Sequence, residues 1–197
     1  HLPSVALQRG VICSSAGNHA QGVALAAQRH GVRAVVVMPN TTPSIKIEAV
    51  EALGGEAILE GDSYDDANAY AIKLAAQQDL TIVHPFSDPD VIAGQGTIAV
   101  ELLEQSNGVP DAVFVPIGGG GLIAGIGSYI KHHHPEIKII GVEPVDCASM
   151  HESFRAGEVV TLDHIGTFAD GAAVKRVSEE TFRVALEVVD HIVLVNT

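Results

Sequence analysis

Aromatic residues are scarce in this chain, at 4% of 197 residues with no tryptophan. The apolar share is still 47%, so the core must be built from Ala, Val, Ile and Leu, a composition suited to layered strands and helices. Only two cysteines are present, Cys13 and Cys147, with neither a paired-ligand spacing nor a disulfide framework. Two small buried thiols in a reducing cytoplasm are the expectation. Basic residues are short as well: Lys and Arg total 11 against 24 Asp and Glu, a net charge of −13 with neutral His. A nucleic-acid surface needs clustered Lys and Arg, so no nucleic-acid partner is expected. No apolar run reaches the ~18 residues of a membrane span, and no signal peptide is visible, so no membrane partner is expected. His1 is not an initiator Met, which suggests a cut N-terminus.

What is present is a repeated alternation of strand-like and helix-like stretches. Strands are predicted at 11–14, 33–38, 56–59, 81–84, 112–116, 137–142 and 191–195. Helices are predicted at 18–30, 44–53, 64–77, 91–105, 122–132, 150–155 and 179–189. Such alternation predicts an α/β fold, with parallel sheets and helices on both faces. The segment 156–175 is too polar and glycine-broken to be one element. A seam near 85–89 divides the chain into residues 1–87, a smaller α/β subdomain, and 88–197, part of a larger one.

The residues 113–126 read Val-Phe-Val-Pro-Ile-Gly-Gly-Gly-Gly-Leu-Ile-Ala-Gly-Ile. A strand, a glycine turn and a helix start aim backbone N–H groups and the positive helix end at an anion. Gly118, Gly119, Gly120 and Gly121 have no Cβ to hold a phosphate away. Three readings fit: a tight turn with no ligand, a dinucleotide site, or a different phosphorylated cofactor. The dinucleotide reading has Gly119-x-Gly121-x-x-Ala124, with Glu143 as ribose ligand ~20 residues on. A Walker A loop is excluded, since no Gly-Lys-Ser/Thr follows.

A second stretch, Ser14-Ser15-Ala16-Gly17-Asn18-His19-Ala20-Gln21-Gly22, is also a strand end, a small-residue turn and a helix start. Ser14, Ser15 and Asn18 add side-chain donors. Ser15 and Asn18 also suit an ordinary helix N-cap. Two such loops suggest a ligand with a phosphate and another with a carboxylate.

Residues 14–22 resemble the substrate and cofactor loop of fold-type-II pyridoxal-phosphate enzymes, and Gly118 to Leu122 resemble their phosphate loop. Val91-Ile92-Ala93-Gly94-Gln95-Gly96-Thr97 resembles their interdomain segment. Gly166-Thr167-Phe168-Ala169-Asp170-Gly171-Ala172-Ala173-Val174-Lys175-Arg176, followed by Glu180-Thr181-Phe182-Arg183, is similar to biosynthetic threonine dehydratases in particular. The resemblance spans nearly the whole chain and implies a tryptophan synthase β-like architecture, incomplete here. It implies pyridoxal 5'-phosphate as cofactor. It gives its phosphate to the N–H groups of Gly118, Gly119, Gly120, Gly121 and Leu122 and its phenolic oxygen to Asn18. It lines the substrate-carboxylate site with Ser15, Ala16, Gly17, Asn18 and His19, and puts Glu143 beside the cofactor ring.

The implied activity is L-threonine dehydration and deamination to 2-oxobutanoate and ammonia, a step of isoleucine biosynthesis. The alternatives are a nicotinamide-dependent oxidoreductase using 119–124 and Glu143, or a non-catalytic small-molecule binding module. The family's cofactor-anchoring lysine lies ahead of the Ser-Ala-Gly-Asn-His loop, so it is expected upstream of His1. The lysines present are Lys46, Lys73, Lys131, Lys138 and Lys175, none in that context. The serine opposite the pyridine nitrogen is expected beyond Thr197. The chain is then the central piece of a catalytic domain, inactive alone, whose parent is a homo-oligomer with an amino-acid substrate. His132-His133-His134 point in different directions on a helix and make a poor metal site. Racemase-like relatives hold a divalent ion near the Glu-Pro of Glu143-Pro144, but Cys147 and Ser149 stand at ligand positions here. No metal is expected.

Overall fold

The computed structural model describes residues 2–166 and 168–196, so Thr167 of the dehydratase-like segment lies outside the described residues. The chain divides into two compact units, His1–Pro85 and Phe86–Thr197.

The first unit runs α1 (Ser4–Arg9), β1 (Val11–Ser14), α2 (Asn18–His30), β2 (Ala34–Met38), α3 (Ser44–Ala52), β3 (Glu56–Leu59), α4 (Tyr64–Gln78) and β4 (Thr81–Ile82). Its strands pair in parallel in the order β3-β2-β1-β4. Parallel strands covered on both faces read as unbroken apolar runs. Val11 to Ser14 and Ala34 to Met38 are buried at every position. Alternate strand residues feed two cores: Val11, Cys13 and Val36 pack with Ala20, Val23 and Ala24, while Ile12, Val35 and Val37 pack with Ala67, Ala71 and Leu74. Gly31 ends α2 with φ 64°, a left-handed position that glycine takes without strain.

The second unit runs α5 (Pro89–Gln105), β5 (Ala112–Pro116), α6 (Gly121–His133), β6 (Lys138–Pro144), α7 (Ser149–Ala156), a 3-10 turn (Asp170–Ala172), α8 (Glu179–Val188) and β7 (His191–Val195). Its parallel sheet has the order β5-β6-β7. Val113, Val115, Ile117 and Ile139 meet Ile123, Ile126, Ile130, Met150, Phe182 and Ala185 in one core. On the other side of the sheet Phe114, Val193 and Val195 are exposed.

Helices α5 and α6 approach closely through small residues. A Cβ at Gly125 would lie 2.3 Å from the Ile92 carbonyl oxygen, and one at Gly96 3.2 Å from the Gly125 carbonyl oxygen. Among the described residues no helix is long and apolar enough to cross a membrane.

Candidate functional site

The glycine loop of the second unit runs from the end of β5 into α6, whose N-cap Gly120 sits at φ 91°. Gly119, Gly120 and Gly121 are buried. Protein atoms occupy every direction a side chain would take. A Cβ at Gly118 would lie 3.1 Å from Ala172 Cα, and one at Gly119 2.3 Å from the Phe86 ring. At Gly120 it would meet Met150 Cε at 2.8 Å and Thr181 Cβ at 2.9 Å, and at Gly121 Phe86 Cβ at 2.9 Å. The glycines are therefore required by packing, and the loop is clamped on its Cα side by Phe86, Ala172, Met150 and Thr181.

The backbone N–H groups that open α6 have no carbonyl of a preceding turn to meet. The first bond recorded at this helix start is Ala124 N–H to the Gly120 carbonyl, at 3.0 Å. Buried donors need an acceptor, and no acidic residue stands in the first turn. The N–H groups of a helix start without a side-chain cap, the positive end of a 13-residue helix and no side chains in the way fit a phosphate group.

The loop of the first unit runs from the end of β1 into α2. Its N-cap is Gly17, with no side-chain cap, and the first turn carries no acidic residue. The capping alternative for Ser15 and Asn18 therefore does not hold. Ser15 Oγ accepts the N–H of Gly17 at 3.2 Å, which braces the turn, and Asn18 is exposed. Ser14 Oγ is buried without a partner. Ala16, Gly17 and His19 are half-buried at the same helix start.

His19 Nε2 stands 3.0 Å from the Val83 carbonyl oxygen. Burial pushes its pKa down, against the upward pull of that hydrogen bond. In the neutral ring Nε2 carries the proton toward Val83, which leaves Nδ1 as an acceptor.

Glu143 is fully buried at the end of β6. One carboxylate oxygen accepts the N–H of Met150 at 2.9 Å and the other that of His151 at 2.8 Å. Both oxygens are thus engaged with the first turn of α7, and the ribose ligand of the dinucleotide reading is unavailable.

Sequence reasoning placed none of Phe86, Ala172, Met150 and Thr181 behind the glycine loop, although Ala172 and Thr181 lie in the dehydratase-like segments. Phe86 and Met150 carry no local signal. Thr181 does carry one: Ser178 and Thr181 form a capping box at the start of α8, in which each side chain takes the other's backbone N–H. The segment around Ala172 also packs near the loop, since Cys147 Sγ donates to the Ala172 carbonyl at 3.4 Å.

Two of the five lysines, Lys131 and Lys138, are tied to Asp190 at 2.7 and 3.1 Å. His133 packs against Tyr129, with ring centroids 4.5 Å apart. Among the described residues no group of three or more His, Cys, Asp or Glu is placed to hold a metal ion.

Comparisons with known proteins agree with this geometry. A family model described as "Pyridoxal-phosphate dependent enzyme" matches residues 5–197. A biosynthetic L-threonine dehydratase of Burkholderia multivorans is 56% identical over 200 residues, covering 100% of this chain and 39% of the relative. A chloroplastic biosynthetic threonine dehydratase of Arabidopsis thaliana is 58% identical, covering 98% of this chain and 33% of the relative. The chain thus spans between about a third and two fifths of the length of these curated relatives. The solved structure of processed threonine deaminase isoform 2 from Solanum lycopersicum superposes with a TM-score of 0.93 at 51% identity, covering 99% of this chain and 57% of that one. The nicotinamide-dependent alternative finds no support in these matches. The fold is that of the fold-type-II enzymes, and the chain belongs to the pyridoxal-phosphate dependent enzyme family.

Proposed function

We propose that this chain forms part of the catalytic domain of an L-threonine ammonia-lyase that converts threonine to 2-oxobutanoate and ammonia. The observation that carries the reading is the buried glycine loop at the start of α6, clamped on its Cα side and left with backbone donors. It combines with 56% and 58% identity to biosynthetic threonine dehydratases. Pyridoxal 5'-phosphate, when bound, serves as the electron sink for charge developing at the substrate Cα.

The chain's own residues bind and orient. The N–H groups of Gly118, Gly119, Gly120, Gly121 and Leu122 take the phosphate. The Asn18 amide donates to the phenolic oxygen of the ring, and its exposure leaves it free for a ligand. The turn formed by Ser15, Ala16, Gly17, Asn18 and His19 takes the substrate carboxylate, with the positive end of α2 behind it. Neutral His19 adds no acid there.

Ala16 has no hydroxyl, so at this position no side chain delivers a proton to Cα, and elimination is favoured over racemisation. Glu143 is fully buried with each oxygen accepting an N–H of α7, and it acts through that helix, whose Met150 packs behind Gly120. The parent protein is a homo-oligomer in this reading.

The test uses the full protein carrying this chain, loaded with pyridoxal 5'-phosphate. Steady 2-oxobutanoate from L-threonine is expected, and no D-serine from L-serine by chiral chromatography. A cofactor-loaded protein that yields no 2-oxobutanoate would overturn the assignment, and appreciable D-serine would overturn the role of Ala16.

A further inference from the structure

The peptide group between Gly119 and Gly120 is held from outside its loop. Thr181, at the third position of α8, is fully buried, and its Oγ1 donates to the Gly119 carbonyl oxygen at 2.8 Å. A trans peptide is planar, with C=O and N–H pointing in opposite directions. Fixing the Gly119 carbonyl toward α8 therefore turns the N–H of Gly120 away from α8. The same side chain closes the space behind Gly120, where a Cβ would lie 2.9 Å from Thr181 Cβ and 3.0 Å from its Oγ1.

We propose that Thr181 is a positioning residue for the cofactor phosphate: its hydroxyl locks the Gly119–Gly120 peptide so that the Gly120 N–H is presented to that phosphate. The proposal rests on the phosphate reading of the loop.

The hydroxyl has one proton and two lone pairs. It accepts the N–H of Ser178 at 3.2 Å and lies 3.0 Å from Ser178 Oγ. Two carbonyl oxygens are within reach of its proton, that of Gly119 at 2.8 Å and that of Ser178 at 3.2 Å. The shorter one belongs to a residue 62 positions away in the chain. A capping box needs only local bonds, and Glu or Gln ordinarily serves at its third position. A buried threonine there does two jobs, closing the box and reaching the glycine loop.

The role separates from a merely structural one through the phosphate itself. Apo forms of the full protein carrying this chain are titrated with pyridoxal 5'-phosphate and with pyridoxal, which differ only in the phosphate. The wild type should prefer the phosphorylated form strongly. Thr181→Val keeps the shape and removes the donor, and should cut that preference about tenfold, the scale of one hydrogen bond on a charged group. Thr181→Ser should restore it. Ser178→Ala weakens the cap but leaves the Gly119 bond, so it should lower thermal stability and leave the preference unchanged.

If the valine variant does not fold, Thr181→Ala carries the same expectation. A donor-less variant with wild-type preference, or a Ser178→Ala protein that loses as much preference, overturns the proposal while the phosphate reading stands. A wild type with no preference for the phosphorylated form removes the phosphate reading and the proposal with it.

Discussion

The carboxylate of Glu143 accepts the backbone N–H of Met150 at 2.9 Å, so the end of β6 is tied to the start of α7 by a buried charge. His151 donates to the second oxygen at 2.8 Å. Burial pushes this carboxyl above the usual range, against the downward pull of the two N–H groups.

Glu143→Gln keeps the volume but turns an amide NH2 toward one of the two N–H groups. The expected loss is about 1–3 kcal/mol, the cost of an unsatisfied buried group. The folded carboxyl is raised above its unfolded value of about 4.3, so protonation favours the folded state. The advantage of wild type over Glu143→Gln should therefore be largest below that value and shrink as pH rises through the folded value. Urea denaturation at several pH values measures it, and a difference that shrinks toward acid would contradict the burial account.

Gly125 and Gly94 should respond oppositely to the same substitution. In Gly125→Ala the new Cβ would sit 2.3 Å from the Ile92 carbonyl oxygen and 2.7 Å from Gly96 N, both backbone atoms that cannot rotate away. Helices α5 and α6 must separate, at about 1–3 kcal/mol or more. A Cβ at Gly94, in the same helix α5, meets nothing within 4 Å. There Gly94→Ala should stabilise by up to about 1 kcal/mol through helix propensity. Thermal melts of the two variants decide, and equal melting shifts of one sign would refute the close approach.

Much of the fold was legible because apolar runs are bounded by glycine, proline and acidic residues. Strands predicted at 11–14, 56–59, 112–116 and 191–195 occur with those limits. The run 81–84 shortens to Thr81–Ile82, since β4 is an edge strand that pairs only at Val11 and Ile12. Helix α1 was not read, because it is six residues long and buries none of them, so it leaves no periodic signal. The helix predicted at 91–105 begins two residues earlier, because Asp88 caps α5 and Pro89 is its first residue.

The strand, glycine turn and helix start around the loop could be read from the order of residues along the chain. The backing of the loop could not, for Phe86, Met150, Ala172 and Thr181 come from four separate stretches and meet only through tertiary packing. Glu143 stood out by its position at a strand end, but its two N–H partners follow only from where α7 begins.

Neither thiol should react in the native protein. Cys13 is 1% exposed, and burial pushes its pKa up to about 12. At pH 8 the thiolate fraction is then roughly one in ten thousand, and thiolate is the reactive form. Burial also raises Cys147, against the hydrogen bond it makes with Val174. A chromogenic disulfide reagent at pH 8 should label both cysteines only after denaturant is added. Labelling of Cys13 within minutes in native buffer, located by mass spectrometry, would contradict its burial in β1.

Asp190 should give the opposite pH slope from Glu143. It lies between α8 and β7 and accepts from Lys131 at 2.7 Å, Lys138 at 3.1 Å and the Ile139 N–H at 2.8 Å. Burial alone would raise this carboxyl, but the bonds from Lys131, Ile139 and Lys138 outweigh it and hold the carboxyl well below the usual range. A depressed folded value means stability that is present above the unfolded value of about 3.9 and lost as pH falls. Asp190→Asn should cost about 2–3 kcal/mol at pH 7, since it leaves a partly buried Lys131 unmatched. Lys131 is 20% exposed, whereas Lys138 is 59% exposed. Lys131→Met should therefore cost more than Lys138→Met, which loses less than about 1 kcal/mol. In urea melts the difference between wild type and Asp190→Asn should close as pH falls below 4. A difference that widens in acid, or an asparagine variant as stable as wild type at pH 7, would show that the carboxylate does not hold β6 to the start of β7.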